Sequence, residues 1–156
     1  MLRRRAGLTL GSVSDEPTET RFDGVPLDEV LAGGTGLYEV TTTSGVPVRL
    51  HDMSLTRLDH DPDRRTLLME FLYDDPQWTP DAARQTPLAV FAFDGVEVVE
   101  QQDEPVEPGT PEHALGQVQG FDYHQASGVF ALSAYTTYWV FRATRVALTL
   151  RATSSR

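Results

Sequence analysis

The chain has 156 residues, about the size of one domain, and no Cys, which removes disulfides, thiolate metal sites and thiol nucleophiles together. It also has no Lys, Ile or Asn, so a phosphate-loop lysine and a Schiff-base lysine are both excluded, and all thirteen basic residues are Arg. The net charge of −10 is uneven: all 23 carboxylates lie between Asp15 and Asp122 beside six arginines, a net −17 for that stretch, and the other seven arginines sit at the two ends. Such a field repels phosphate backbones and anionic membranes and attracts basic proteins, so neither nucleic acid nor membrane is expected as a partner. Solubility alone is the plain alternative reading of the charge. The skewed composition is that of a GC-rich genome, and a bacterial, actinobacterial source is expected from it.

Residues 1–21 read as a polar arm or linker with one strand at Leu8–Leu10. Arg3, Arg4 and Arg5 precede a stretch too short and too broken for a signal peptide, and no window approaches the roughly 18 apolar residues that span a bilayer; with no cysteine, a cytoplasmic location is expected. The folded domain is expected over 22–156. Pro26 to Gly33 reads as a short helix, with early Pro, Asp28 and Glu29 in the first turn and Gly at the end. Strands follow: Leu37–Thr43 and Val46–Leu50 form one hairpin about Ser44-Gly45. Met53–Leu58 and Thr66–Tyr73 form a second about the polar turn Asp59–Asp63, with Leu67, Met69, Phe71 and Tyr73 on one face. Thr79 as cap and Pro80 behind it predict a helical turn over 79–84.

Leu88–Phe93 is apolar on both faces and is expected to be central in its sheet. Asp94-Gly95 then predicts a tight hairpin returning through Val96–Glu100. Gln101–Pro111 reads as a surface loop that buries nothing, and Pro111–Leu115 as a helical turn. Gln119–His124, Val129–Ala134, Tyr138–Arg142 and Arg145–Arg151 read as a β-meander, the last alternating Val146, Leu148 and Leu150 with wetter neighbours. Roughly nine or ten strands with one or two short helices predict an all-β fold, an antiparallel β-sandwich or a partly closed barrel.

Several residue groups invite a chemical reading. Asp59, Asp61, Asp63 and Glu70 match positions 1, 3, 5 and 12 of a calcium loop, but Arg64 stands where that loop needs Gly and strands flank it, so a solvated turn is the better reading and no metal is expected. His51, His60, His113 and His124 follow no ligand spacing. His51-Asp52 interrupts the alternation between Val48-Leu50 and Met53-Leu55 as a bulge or bend would, and marks a polar site. Gly33-Gly34-Thr35-Gly36 leaves a helix and enters a strand, the reverse of a phosphate loop, and reads as a flexible connection. Tyr135, Tyr138, Trp139 and Phe141 read as core before ligand cage. Trp78 beside Asp74 and Asp75 reads as packing over a core edge or as an anchor for a basic protein, with Asp103, Glu104 and Glu107 as a second acidic patch.

The run Leu50-His51-Asp52-Met53-Ser54-Leu55, the hairpin through Leu67-Leu68-Met69-Glu70-Phe71, and Trp139-Val140-Phe141-Arg142-Ala143 with Val146–Leu150 resemble small β-rich immunity proteins of bacterial polymorphic toxin systems. The resemblance covers Val46 to Leu150. It implies an intracellular, catalytically inert chain without cofactor that covers a basic partner such as a toxin. Two other functions fit the sequence: a small-molecule-binding β-barrel with the aromatic cluster lining its cavity, and an acid–base enzyme using His51 and Asp52. Exposed strand edges leave a homodimer open.

Overall fold

A computed structural model describes residues 19–153. The expected arm over residues 1–18, with its strand at Leu8–Leu10, lies outside them. Within the described residues the first half supplies β1 (Arg21–Asp23), helix α1 (Leu27–Ala32), a hairpin of β2 (Glu39–Thr41) and β3 (Pro47–Arg49), and the longer pair β4 (Ser54–Asp61) and β5 (Thr66–Leu72). The second half adds β6 (Leu88–Asp94), β7 (Glu97–Asp103), helix α2 (Glu112–Leu115), β8 (Val118–His124), β9 (Val129–Ala134), β10 (Thr137–Arg142) and β11 (Arg145–Arg151). One sheet runs β1-β11-β6-β5-β4 and the other β7-β10-β9-β8. The fold is all-β, two sheets pack face to face, and no closed barrel forms. No helix among the described residues is long and apolar enough to cross a membrane.

The core follows from the period-2 pattern. Leu67, Met69 and Phe71 point inward from β5, Phe91 and Phe93 from β6, and Phe121, Phe130 and Phe141 from β8, β9 and β10, all essentially without solvent contact. The rings meet across the two sheets: Phe93 stands edge-on to Phe141 at 4.9 Å and to Phe130 at 5.3 Å, and Phe91 meets Phe121 at 5.8 Å. Phe141 also stacks on Phe130 at 5.2 Å. Leu88–Asp94 is central in its sheet, as its two apolar faces require.

Two sequence expectations fail at one place. Asp94-Gly95 does not make a hairpin within a sheet; the chain crosses there to the opposite sheet, where β7 pairs with β10. The reason is that β6 already has β5 on one side and β11 on the other, so no edge is free for a return strand. Nor is β11 the fourth strand of a meander: it crosses back at Ala143-Thr144 to pair with β6. The two crossings are bonded, with the Thr144 N–H donating to the Asp94 carbonyl at 2.9 Å and its hydroxyl to the same oxygen at 3.1 Å. Gly95 has φ +64, and a Cβ there would lie 2.3 Å from Thr144 Oγ1, so only Gly fits.

Smaller corrections have local causes. The turn expected over Asp59–Asp63 falls at Pro62–Arg65, because Asp61 accepts from the N–H groups of Asp63 and Arg64, each at 3.1 Å, and so belongs to the strand end. Gly36 is more than a flexible connection: its Cβ would lie 2.5 Å from the Phe121 carbonyl, and this close approach lets the Leu37 N–H bond that carbonyl at 2.7 Å along the outer edge of β8. The short strand β1 joins the five-stranded sheet beside β11, and this pairing is parallel. Arg145 fixes this strand by donating to Asp23 at 2.6 Å and to Asp94 at 3.4 Å.

Phe121→Ala should cost about 3–5 kcal/mol in a chemical denaturation series, because the rings around it belong to both sheets and cannot all collapse into the void. The hydrogen bond from Arg145 holds the Asp23 carboxyl below its ordinary 3.8. Its contribution is therefore complete above the ordinary value and lost as pH falls through the lower folded value. Thermal melts of Asp23→Asn against wild type should differ at neutral pH and converge in strong acid; a gap that persists there would contradict this role.

Candidate functional site

The His51–Asp52 segment owes its position to a latch. Tyr73, at the end of β5, is buried and its hydroxyl donates to the Pro47 carbonyl while accepting from the Arg49 N–H, both at 2.8 Å. This holds the β2–β3 hairpin against the sandwich. Leu50 and Met53 are then buried, and the Met53 N–H bonds the Leu50 carbonyl at 3.1 Å. The interruption at His51-Asp52 is therefore one 3₁₀ turn between two buried anchors, not a bulge, and it turns both polar side chains outward. The Tyr38 hydroxyl lies 3.2 Å from Nδ1 of His51 and donates to the Val118 carbonyl at 3.3 Å. Burial, with Asp52 and Glu39 adding to it, pushes the Tyr38 phenol above its ordinary 10.0, so it stays protonated at neutral pH.

The opposite wall is built by Asp74 to Trp78. Asp75 Oδ1 accepts from the Gln77 N–H at 2.9 Å and caps a 3₁₀ turn over Pro76–Trp78. Thr79, expected to cap the next turn, instead donates its hydroxyl to the Asp75 carbonyl at 2.8 Å; the turn Asp81–Ala83 has no side-chain cap. Thr79 thereby closes the first turn, and Trp78 at its end is 57% exposed. Asp74 accepts from the Ser54 hydroxyl at 2.7 Å, tying this wall to the start of β4.

Between the walls lies an open cleft of about 1000 Å³. Its lining joins the two groups that the sequence offered separately: His51 and Asp52 from one side, Asp74, Asp75 and Trp78 from the other, with Arg49, Ser54 and Gln117 between. Among the described residues Arg49 is the one arginine in the lining, and it reaches Glu39 at 3.8 Å. Asp52, Asp74 and Asp75 form no ion pair among the described residues. An acidic, open cleft with an exposed indole at its rim suits a basic surface carrying an apolar or cationic side chain.

The second acidic patch is separate. Asp103 is not in a loop but ends β7, where it accepts from the Thr137 hydroxyl at 2.9 Å and the Gln101 amide at 2.7 Å. Glu104 follows with its N–H bonded to the Thr136 carbonyl at 2.8 Å, and Glu107 lies exposed in the loop beyond. Of the aromatic cluster, Phe141 and Trp139 are in the core; the Trp139 indole donates to Thr137 at 2.8 Å and meets His60 edge-on at 5.5 Å. Tyr135 and Tyr138 are half-buried. Asp59 and Glu70, from the calcium-like spacing, both bind Arg57 instead.

Sequence reasoning missed Arg49, Ser54 and Gln117 as cleft residues and Tyr38 as the partner of His51. Arg49 sits next to His51, but Gln117 arrives through an isolated bridge to Ser54 between residues far apart in the chain, which no local pattern reveals. Comparison of the chain with known protein families, curated protein sequences and solved structures returned no match.

Tyr73→Phe should destabilise by about 1–3 kcal/mol, since it leaves the Arg49 N–H and the Pro47 carbonyl without partners; an unchanged denaturation midpoint would show that the latch carries nothing. The two tryptophans give a second check. Acrylamide should quench most of the Trp78 emission and little of that from Trp139, so Trp78→Phe should leave a blue-shifted, poorly quenched spectrum. Equal quenching of both would contradict the placement of Trp78.

Proposed function

We propose that this chain is a non-catalytic protein-binding domain of the immunity or inhibitor type, which covers a basic protein partner such as a toxin. The observation that carries this reading is the convergence of Asp52, Asp74 and Asp75 with the exposed Trp78 on one open cleft. Trp78 is the anchor: a large ring held on a capped turn loses little conformational freedom on binding and excludes water from neighbouring charge pairs. The three carboxylates steer the encounter, and their effect falls with salt. The polar His51 side chain, with its ring nitrogen beside the Tyr38 hydroxyl, adds a hydrogen-bonding group to its wall of the cleft.

The test is retention of partners from a lysate of the source organism by the tagged chain and, in parallel, by Asp74→Arg/Asp75→Arg and Trp78→Ala. A basic protein held at low salt, weakened at moderate salt and lost from both variants is the expected result. The same protein held equally by wild type and both variants would place recognition elsewhere, and an acidic or salt-insensitive partner would overturn the electrostatic reading.

A further inference from the structure

The outer edges of the two sheets are treated differently. The edge of β8 is covered by Gly36-Leu37, β1 is only three residues long, and β4 is tied at its start to Gly116 and Gln117. Among the described residues nothing pairs with the outer side of β7. Its hydrogen-bonding phase is set by Glu104, whose N–H bonds inward to Thr136 at 2.8 Å. Inward and outward residues alternate in an antiparallel pair, so Gln102 and Glu100 also face β10, while Gln101 and Asp103 turn both N–H and C=O outward. This is a bare strand edge of the kind that templates addition of another strand.

The side chains around that edge define what would fit. Gln101 and Asp103 share a face with Trp139 and Thr137 and line a groove of about 500 Å³ whose far wall is Leu55, Thr56, Arg57 and Leu58 of β4, with Arg57 held by Asp59 and Glu70. Glu100 and Glu104 lie on the opposite face. From Glu97 to Glu107 the chain has five carboxylates and no basic residue, and only Glu97 meets a cation among the described residues, Arg142 at 3.6 Å. A second copy of this chain would bring the same carboxylates to the seam, and like charges along paired strands are unfavourable.

We propose that β7 is a docking edge for an extended basic segment of a partner protein, which adds to the four-stranded sheet as a fifth strand. Alternate side chains of the segment face opposite ways: Arg or Lys toward Glu100 and Glu104, apolar residues toward the groove beside Trp139, Leu55 and Leu58. The inference rests on the reading of a basic protein partner, but on a surface distinct from the acidic cleft.

The test is an NMR titration of the full chain with a synthetic peptide of about eight residues alternating Arg and Val, a usual strand length. The amides of Gln101 and Asp103 should shift and become protected from exchange. Gln101→Pro removes an outward N–H while sparing the inward bonds to β10, and should weaken binding about tenfold. A peptide N-methylated on alternate residues, prepared in both phases, should lose binding in one phase and needs no change to the protein. Shifts scattered over the acidic surface and indifferent to both changes would overturn the proposal, as would self-association through the same edge. Asp74→Arg/Asp75→Arg should leave peptide affinity unchanged; if it abolishes binding, the cleft reads the peptide and the edge proposal falls alone. Conversely, edge binding by the peptide, with no partner held at the cleft, would sink the cleft reading alone.

Discussion

The structure depends on one constraint: both chain crossings between the sheets fall side by side, at Asp94–Val96 and at Ala143-Thr144, and are bonded through a single carbonyl, that of Asp94. Of the strands flanking these crossings, β6 is the centre of the five-stranded sheet with β11 beside it, and β7 is an edge of the four-stranded sheet with β10 beside it. Phe93 and Phe141, the next-to-last residues of β6 and β10, face each other at 4.9 Å and fix the separation of the sheets. The remaining phenylalanines pack outward from that pair. Arg145 extends the same corner to β1 through Asp23 and Asp94, so the entry of the described chain, both crossings and the aromatic core share one anchor.

That corner also accounts for where the molecule is open. A strand that leaves β6 for the other sheet becomes an outer strand there, and β7 accordingly carries polar side chains on its outer half where a central strand would carry Val or Phe. At the opposite end of the chain's path, the Tyr73 latch holds the small hairpin beside β5 and leaves a gap between it and the Asp74–Trp78 turn. The cleft and the groove at β7 lie on neighbouring stretches of β4: Ser54 lines one, Leu55 to Leu58 the other. The cleft is acidic, and the groove, whose own lining balances Asp103 against Arg57, is flanked by the carboxylates of β7; the sequence places every carboxylate between its two arginine-bearing ends.

Much of the fold was legible in the sequence because period-2 alternation survives wherever one face is buried: Leu67, Met69 and Phe71, or Val146 and Leu148, identify their strands and their inner faces without reference to partners. What failed were connections. Asp94-Gly95 satisfies the local chemistry of a hairpin turn, and its true role depends on β11, some fifty residues later, occupying the edge that a return strand would need. The cleft was half legible. Asp74, Asp75 and Trp78 stood out as an acidic loop carrying an aromatic, and His51-Asp52 as a break in alternation, but only the fold exposes Trp78 and puts the two groups on facing walls. Asp103 shows the opposite limit, since a polar run rich in Glu and Gln reads as loop when it is an edge strand with no buried face to impose alternation.

The acidic cleft is the proposed docking place of a basic protein. Hydrogen-exchange mass spectrometry of the chain, free and with the proposed basic partner bound, tests it most directly. The account predicts new protection over residues 49–54 and 74–78. Protection confined to the outer faces of β8, β9 and β11, with the cleft exchanging as in the free chain, would contradict it.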